Sequence, residues 1–184
     1  GNGTRFGESY LSFEDPDGLP LTLVIPTRGD ERKPWETAEV KADVATKGFH
    51  SVTLMVQKID ATAQVLTDIL GYKLLKQEGS RYRFINDAVD NAAIVDIVES
   101  PDGKKGVNAG GTNHHVAFRV KDEETQMQLH EKISAAGLKI TPKIDRNYFF
   151  SLYFREPNGI LFEIATDNPG FAVGDYVNGA LGVQ

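Results

Sequence analysis

Two side chains in the C-terminal half carry the chemistry most open to recruitment. They are His115, in the run NHHVAFRV (residues 113–120), and Glu163, in ILFEIA (residues 160–165). Both runs read as β-strands, and a strand sends alternate side chains to opposite faces. In the first, His114, Val116, Phe118 and Val120 share one face, and His115, Ala117 and Arg119 the other. In the second, Ile160, Phe162 and Ile164 form an apolar face opposed by Leu161, Glu163 and Ala165. With the apolar faces packed under a helix, His115 and Glu163 both line the open side of one small sheet. Imidazole nitrogen plus carboxylate oxygen converging in a cup suits Fe(II), Mn, Ni or Zn. The same pair fits a purely structural reading, with Glu163 paired to an Arg and His115 a satisfied, half-buried histidine. The tandem His-His adds little, because adjacent strand residues point apart unless a bulge intervenes.

The elements that position this pair repeat along the chain. Residues 10–24 (YLSFEDPDGLPLTLV) align without a gap to residues 151–165 (SLYFREPNGILFEIA). Leu11 matches Leu152, Phe13 matches Phe154, Pro16 matches Pro157 and Gly18 matches Gly159; at the same offset Arg5 matches Arg146. Each copy reads as strand, Pro/Gly turn, strand. A second repeat pairs residues 48–56 (GFHSVTLMV) with NHHVAFRV, and a helix follows each: residues 60–70 ending at Gly71, and 122–136 ending at Gly137. The apolar stripes are Val65, Leu66 and Ile69 in one helix and Leu129, Ile133 and Ala136 in the other. Glycine just past a helix accepts positive φ cheaply and marks its end. Strands are expected at 72–76, 82–85 and 93–98 in one unit, and at 138–140, 149–154 and 160–165 in the other.

The expected fold is therefore α+β, with tandem βαβββ units forming curved mixed sheets and helices outside. Residues 1–24 end in the terminal hairpin of an otherwise missing unit, whose Leu11, Phe13, Leu21 and Leu23 need burial. Residues 25–47 form a charged linker with Trp35 as an aromatic anchor. Residues 48–99 are a complete unit, 100–112 a Gly-rich connector, 113–167 the unit carrying the metal-site residues, and 168–184 a C-terminal tail. The connector contains no P-loop or dinucleotide fingerprint.

Composition bounds the function classes. The 184 residues carry 20 Lys and Arg against 26 Asp and Glu, a formal charge of −6, with 40% hydrophobic residues. That balance fits a soluble globular protein and argues against a nucleic-acid partner. No apolar run approaches the roughly 20 residues that span a bilayer. The absence of cysteine excludes disulfides, thiolate nucleophiles and iron–sulfur ligation, and favours a cytoplasmic location. The chain opens on Gly1 without a signal-peptide pattern, as expected of a piece of something longer.

The βαβββ repeats, NHHVAF opening a unit, and DRNYFFSLYFREPNGILFEIATDNPGF (residues 145–171) closing it resemble the vicinal-oxygen-chelate superfamily. That group includes glyoxalases, fosfomycin-resistance proteins and extradiol dioxygenases; this chain resembles its hydroquinone-type ring-cleaving dioxygenases. Those proteins have four βαβββ units, and the chain is similar to the end of the second, the third and the fourth. The resemblance implies His115 and Glu163 as Fe(II) ligands, with Mn, Ni or Zn as alternatives, and a third protein ligand from the missing first unit. It implies Arg146 and Tyr153 as groups touching or flanking the substrate, and His114 as a histidine beside the ligand. The partners implied are a small aromatic substrate and O2, with a homo-oligomer left open. The implied reaction opens a hydroquinone- or catechol-like ring, and these residues alone are expected to bind metal weakly and be inactive.

His50 is the competing ligand, since other extradiol enzymes draw a His from the third unit. Strand alignment pairs His50 with His114, however, and sets Ser51 at the position of His115. Asp96 and Thr22 fall at the position of Glu163, and His130 is expected to be solvated. Two further readings stay open: a glyoxalase-like lyase or isomerase using the same His/Glu pair, and a metal-free module binding small molecules.

Overall fold

The structure, a computed structural model, describes residues 1–172. Residues 173–184, most of the expected C-terminal tail, lie outside the described residues. The chain divides into two compact units, Gly1–Thr112 and Asn113–Gln184.

The first unit opens with a three-stranded antiparallel sheet of β1 (Asn2–Arg5), β2 (Glu8–Glu14) and β3 (Pro20–Ile25). It continues with β4 (Ser51–Val56), α1 (Ile59–Gln64), a π-helical turn (Val65–Ile69), β5 (Lys73–Glu78), β6 (Arg81–Ile85) and β7 (Ile94–Glu99). The second unit comprises β8 (Val116–Val120), α2 (Glu123–Ala135), β9 (Ile144–Asp145), β10 (Phe149–Arg155) and β11 (Leu161–Pro169). The two four-stranded sheets share one topology, β4-β7-β6-β5 and β8-β11-β10-β9. In each, the first strand runs parallel to the last and the remaining pairs are antiparallel. The chain thus has the α+β architecture of tandem βαβββ units.

Burial explains why the second unit holds its site steady. Leu152, Phe154, Phe162 and Ile164 are at most 2% exposed and form the apolar side of the sheet. Each such side chain contributes roughly 1.5–3 kcal/mol by leaving water. Helix α2 docks on that side through Ile133 and a fully buried Gln126. Its start is capped by Asp122, whose carboxylate accepts from the Thr125 N–H at 2.8 Å. Its end is marked by Gly137 at φ 78°. The Gln126 amide donates to the carbonyls of Phe150 and Ile164, both at 2.8 Å. Those carbonyls adjoin Ser151 and Glu163, so the helix ties down both strands that carry the site.

Several expectations change. The first helix is regular only to Gln64; the Leu70 N–H then bonds to the Val65 carbonyl, five residues back. That wider turn keeps Val65, Leu66 and Leu70 all buried. Residues 138–140 form a single bridge, Ile140 to Phe154, and the edge strand is instead β9. On α2, Ala136 is exposed, so Gln126 and Ile133 form the packed stripe. His130 is half-buried rather than fully solvated, and Trp35 anchors nothing, being 81% exposed.

The N-terminal strands differ most. The repeat extends past the hairpin: β1 pairs with β2 in the register that β9 adopts on β10, Thr4 opposite Ser9 as Asp145 is opposite Phe150. The expected burial of Leu11, Phe13, Leu21 and Leu23 does not occur, and they stay 39–48% exposed. Their equivalents in the last unit lie on the side covered by α2. A polar tie joins this sheet to β6 instead, from Glu8 to Arg83 at 2.5 Å.

Candidate functional site

The site lies wholly within the second unit. Register sets Tyr153 directly opposite Glu163, and Ala117 opposite Glu163 on the other flank. Strand alternation then turns Glu163, Tyr153 and Ser151 away from the apolar core. Glu163 is 3% exposed, yet its carboxylate is fully engaged. Oε1 accepts from the Ser151 hydroxyl at 2.5 Å and from the Tyr153 hydroxyl at 2.9 Å. Oε2 faces Nε2 of His115 at 2.7 Å. The His115 ring also meets Tyr153 edge-on, with centroids 5.9 Å apart.

The polar contacts continue outward. Nη2 of Arg146 donates to the Tyr153 hydroxyl oxygen at 3.3 Å, and its guanidinium lies 5.5 Å from the Tyr153 ring centre. Nδ1 of His114 is 2.9 Å from Nδ1 of His115. Regular strand begins only at Val116, so strict alternation does not bind the two histidines, and His114 approaches its neighbour without a bulge. The structure therefore brings together His114, His115, Arg146, Tyr153 and Glu163. It adds Ser151, which the sequence reading missed. The available signal was a lone small hydroxyl, two residues before Tyr153 on the same face of an otherwise aromatic strand.

His50 belongs to the other unit and has partners there. Its Nε2 is 3.3 Å from Glu8 and its Nδ1 is 3.0 Å from the Ser51 hydroxyl. Asp96, opposite Arg83 as Glu163 is opposite Tyr153, is claimed by that arginine through Nε at 2.8 Å and Nη2 at 2.9 Å. Glu8 accepts from the third guanidinium nitrogen. Burial works to raise the Glu8 pKa, but the hydrogen bond from Arg83, with the charges of His50 and Arg83, outweighs it and holds the carboxyl below its ordinary range. Thr22, at the third equivalent position, sits 3.4 Å from the Ser12 hydroxyl.

The donor set of the second unit fits a divalent metal as two of its ligands. Two donors each at about 2.0–2.2 Å from one ion and at right angles would be about 3 Å apart. The observed 2.7 Å between Nε2 and Oε2 needs only a small opening. Ser151 and Tyr153 occupy Oε1 and leave Oε2 turned to the histidine. For Nε2 to bind metal the imidazole proton must sit on Nδ1, where His114 Nδ1 is the acceptor at hand. Among the described residues no group of three or more His, Cys, Asp and Glu side chains converges.

Comparison with known proteins gives these features a family. The sequence profile of the Glyoxalase/Bleomycin resistance protein/Dioxygenase superfamily matches residues 48–164. The chain is 44% identical over 168 residues to "Putative ring-cleaving dioxygenase MhqO" of Bacillus subtilis (strain 168), covering 91% of this chain and 53% of that protein. It is 34% identical over 167 residues to "Chlorohydroquinone/hydroquinone 1,2-dioxygenase" of Sphingobium indicum, covering 86% of this chain and 51% of that protein. A crystal structure of a "putative dioxygenase" from Bacillus subtilis superposes with a TM-score of 0.84 at 42% identity, covering 94% of this chain and 55% of the other. The chain spans about half the length of the curated relatives it matches. No helix among the described residues is long and apolar enough to cross a membrane. Repeat topology, matched profile and related sequences agree: the chain belongs to the glyoxalase/bleomycin resistance protein/dioxygenase superfamily.

Proposed function

We propose that this chain supplies two metal ligands and the substrate-facing groups of an Fe(II)-dependent ring-cleaving dioxygenase of the extradiol type. The observation that carries the reading is Nε2 of His115 meeting Oε2 of a buried Glu163, the oxygen that Ser151 and Tyr153 leave to it. A histidine and a carboxylate are two members of the 2-His-1-carboxylate set used by non-haem Fe(II) oxygenases. The names of the related proteins favour hydroquinones as substrates. Bound Fe(II) supplies the redox chemistry that lets O2 react with the ring; Mn, Ni and Zn fit the same donors.

The remaining work falls to side chains. The exposed Arg146 guanidinium beside the Tyr153 hydroxyl offers positive charge to an ionised substrate oxygen. The Tyr153 hydroxyl, once released from Glu163, holds or delivers a proton at that oxygen. His114 keeps the His115 ring in the orientation that frees Nε2. The third ligand comes from the first βαβββ unit of a longer protein, the domain boundaries being those read from the sequence. The absence of cysteine suits a cytoplasmic enzyme.

The test is metal content and O2 uptake on substituted hydroquinones, for this chain alone and for the full-length protein. The expected result is weak loading and negligible uptake by the chain alone, with both present in the longer protein and lost in His115→Ala. Turnover without O2 would assign a lyase or isomerase reaction instead. Ligand binding unaffected by metal removal would assign a binding module.

A further inference from the structure

We propose that Ser151 is a positioning residue that fixes Glu163 as a ligand and so leaves Tyr153 free to redirect its hydroxyl toward substrate. This rests on the metal-site reading above. Both hydroxyls donate to Oε1 of Glu163, but they are not alike. Ser151 is fully buried, and its hydroxyl lies 2.5 Å from Oε1. Its backbone is held on both sides, opposite Ile144 on β9 and Ala165 on β11. A serine hydroxyl has one proton. Buried as it is, it spends that proton on the acceptor in reach, and the carboxylate in turn needs the donor.

Tyr153 is only half-buried; its hydroxyl donates to Oε1 at 2.9 Å while its oxygen accepts from the exposed Arg146, so this donor stands at the solvent edge of the cluster. A phenol also has one proton. While it is given to Glu163 it cannot serve a substrate, so the proposed role of Tyr153 requires that bond to open. If Tyr153 alone held Glu163, opening it would release the ligand. With Ser151 in place, one donor stays on Oε1 and Oε2 stays turned to His115. The repeats support the pairing of functions. At the positions equivalent to Ser151 stand Tyr10 and Arg81, and at those equivalent to Glu163 stand Thr22 and Asp96. A small hydroxyl accompanies the carboxylate only in the unit that carries the histidine pair.

The experiment compares Ser151→Ala and Tyr153→Phe in the full-length protein by Co(II) titration, by turnover at saturating Fe(II), and by crystal structures of the metal-free variants. Ser151→Ala is expected to weaken Co(II) binding about 10–100-fold, to shift Glu163 in the metal-free crystal, and to regain turnover when Fe(II) is raised. Tyr153→Phe is expected to weaken Co(II) binding less, to leave Glu163 in place, and to keep its turnover defect at any Fe(II) concentration. The proposal is overturned if Glu163 is unmoved in metal-free Ser151→Ala, or if Tyr153→Phe costs more Co(II) affinity than Ser151→Ala. Wild-type protein that binds no Co(II), while Ser151→Ala still displaces Glu163, would sink the metal reading and leave the positioning role standing.

Discussion

Glu163 faces Tyr153 across β10 and β11, and Asp96 faces Arg83 across β6 and β7, at the same register of the same sheet topology. Both carboxylates are almost fully buried. Glu163 is held by two neutral hydroxyls on one oxygen and keeps the other for His115. Asp96 is gripped through both oxygens by a guanidinium, which also binds Glu8 and stacks 4.4 Å from the Phe6 ring centre. A buried carboxylate must be compensated. Neutral donors leave its charge available to an outside cation, whereas an internal cation consumes it. The exchange of Tyr153 for Arg83 at one strand position thus separates the proposed metal-binding carboxylate from one held in a structural tie.

Removing the two carboxylates should break this comparison most sharply. Glu163→Gln is expected to lower metal affinity of the full-length protein by at least about 100-fold and to abolish O2 uptake on hydroquinones. Asp96→Asn is expected to leave metal content unchanged, which elemental analysis of the two variants would check. Next in size is the tie itself. Arg83→Ala strands two buried carboxylates and should cost about 3–5 kcal/mol of first-unit stability, read from urea unfolding. Replacing Arg83 with Met should cost less than replacing it with Ala, because a thioether can still cover the Phe6 ring that the guanidinium stacks on.

Acid should weaken the first-unit tie next. The Glu8 carboxyl is held below its ordinary value of 4.5. Its contribution to stability is therefore complete above that value and is lost as pH falls through the lowered folded value. Chemical unfolding from pH 6 to pH 3 should show a loss of first-unit stability below about 4.5 that Glu8→Gln diminishes. The smallest effect is expected at His50. His50→Ala should leave metal binding unchanged and cost at most about 1 kcal/mol, seen as a slight shift in the unfolding midpoint. Loss of metal in that variant would show the strand alignment to be wrong.

The sequence carried more of the fold than of the site's wiring. Matched Pro/Gly turns at 15–18 and 156–159 made the repeat visible, and both close with equivalent backbone bonds, from Gly18 to Asp15 and from Gly159 to Glu156. Alternation at Phe162, Glu163 and Ile164 is enough to put Glu163 opposite the apolar face. Ser151 escaped notice because a serine in a strand is common, and nothing local reveals that its hydroxyl is sealed from water. Gln126 was missed for the same reason: a polar residue on a helix reads as solvated until the carbonyls it serves are known. The exposed Leu11 and Phe13 misled in the opposite direction, since pattern states which face is apolar but not what covers it.

What sequence determined was local and periodic: two βαβββ units, their helix stops, and Glu163 on the side of its strand opposite the apolar face. Those follow from spacing, because side-chain direction in a strand is set by the backbone repeat. What only the tertiary structure decided was which partner each buried charge obtained. Glu163 met Ser151, Tyr153 and His115, whereas Asp96 met Arg83, and Arg83 reached back to Glu8, 75 residues away. The physical reason is that a carboxylate's role depends on the donors within hydrogen-bonding reach and on the loss of competing water, and both arise only when distant strands close over it.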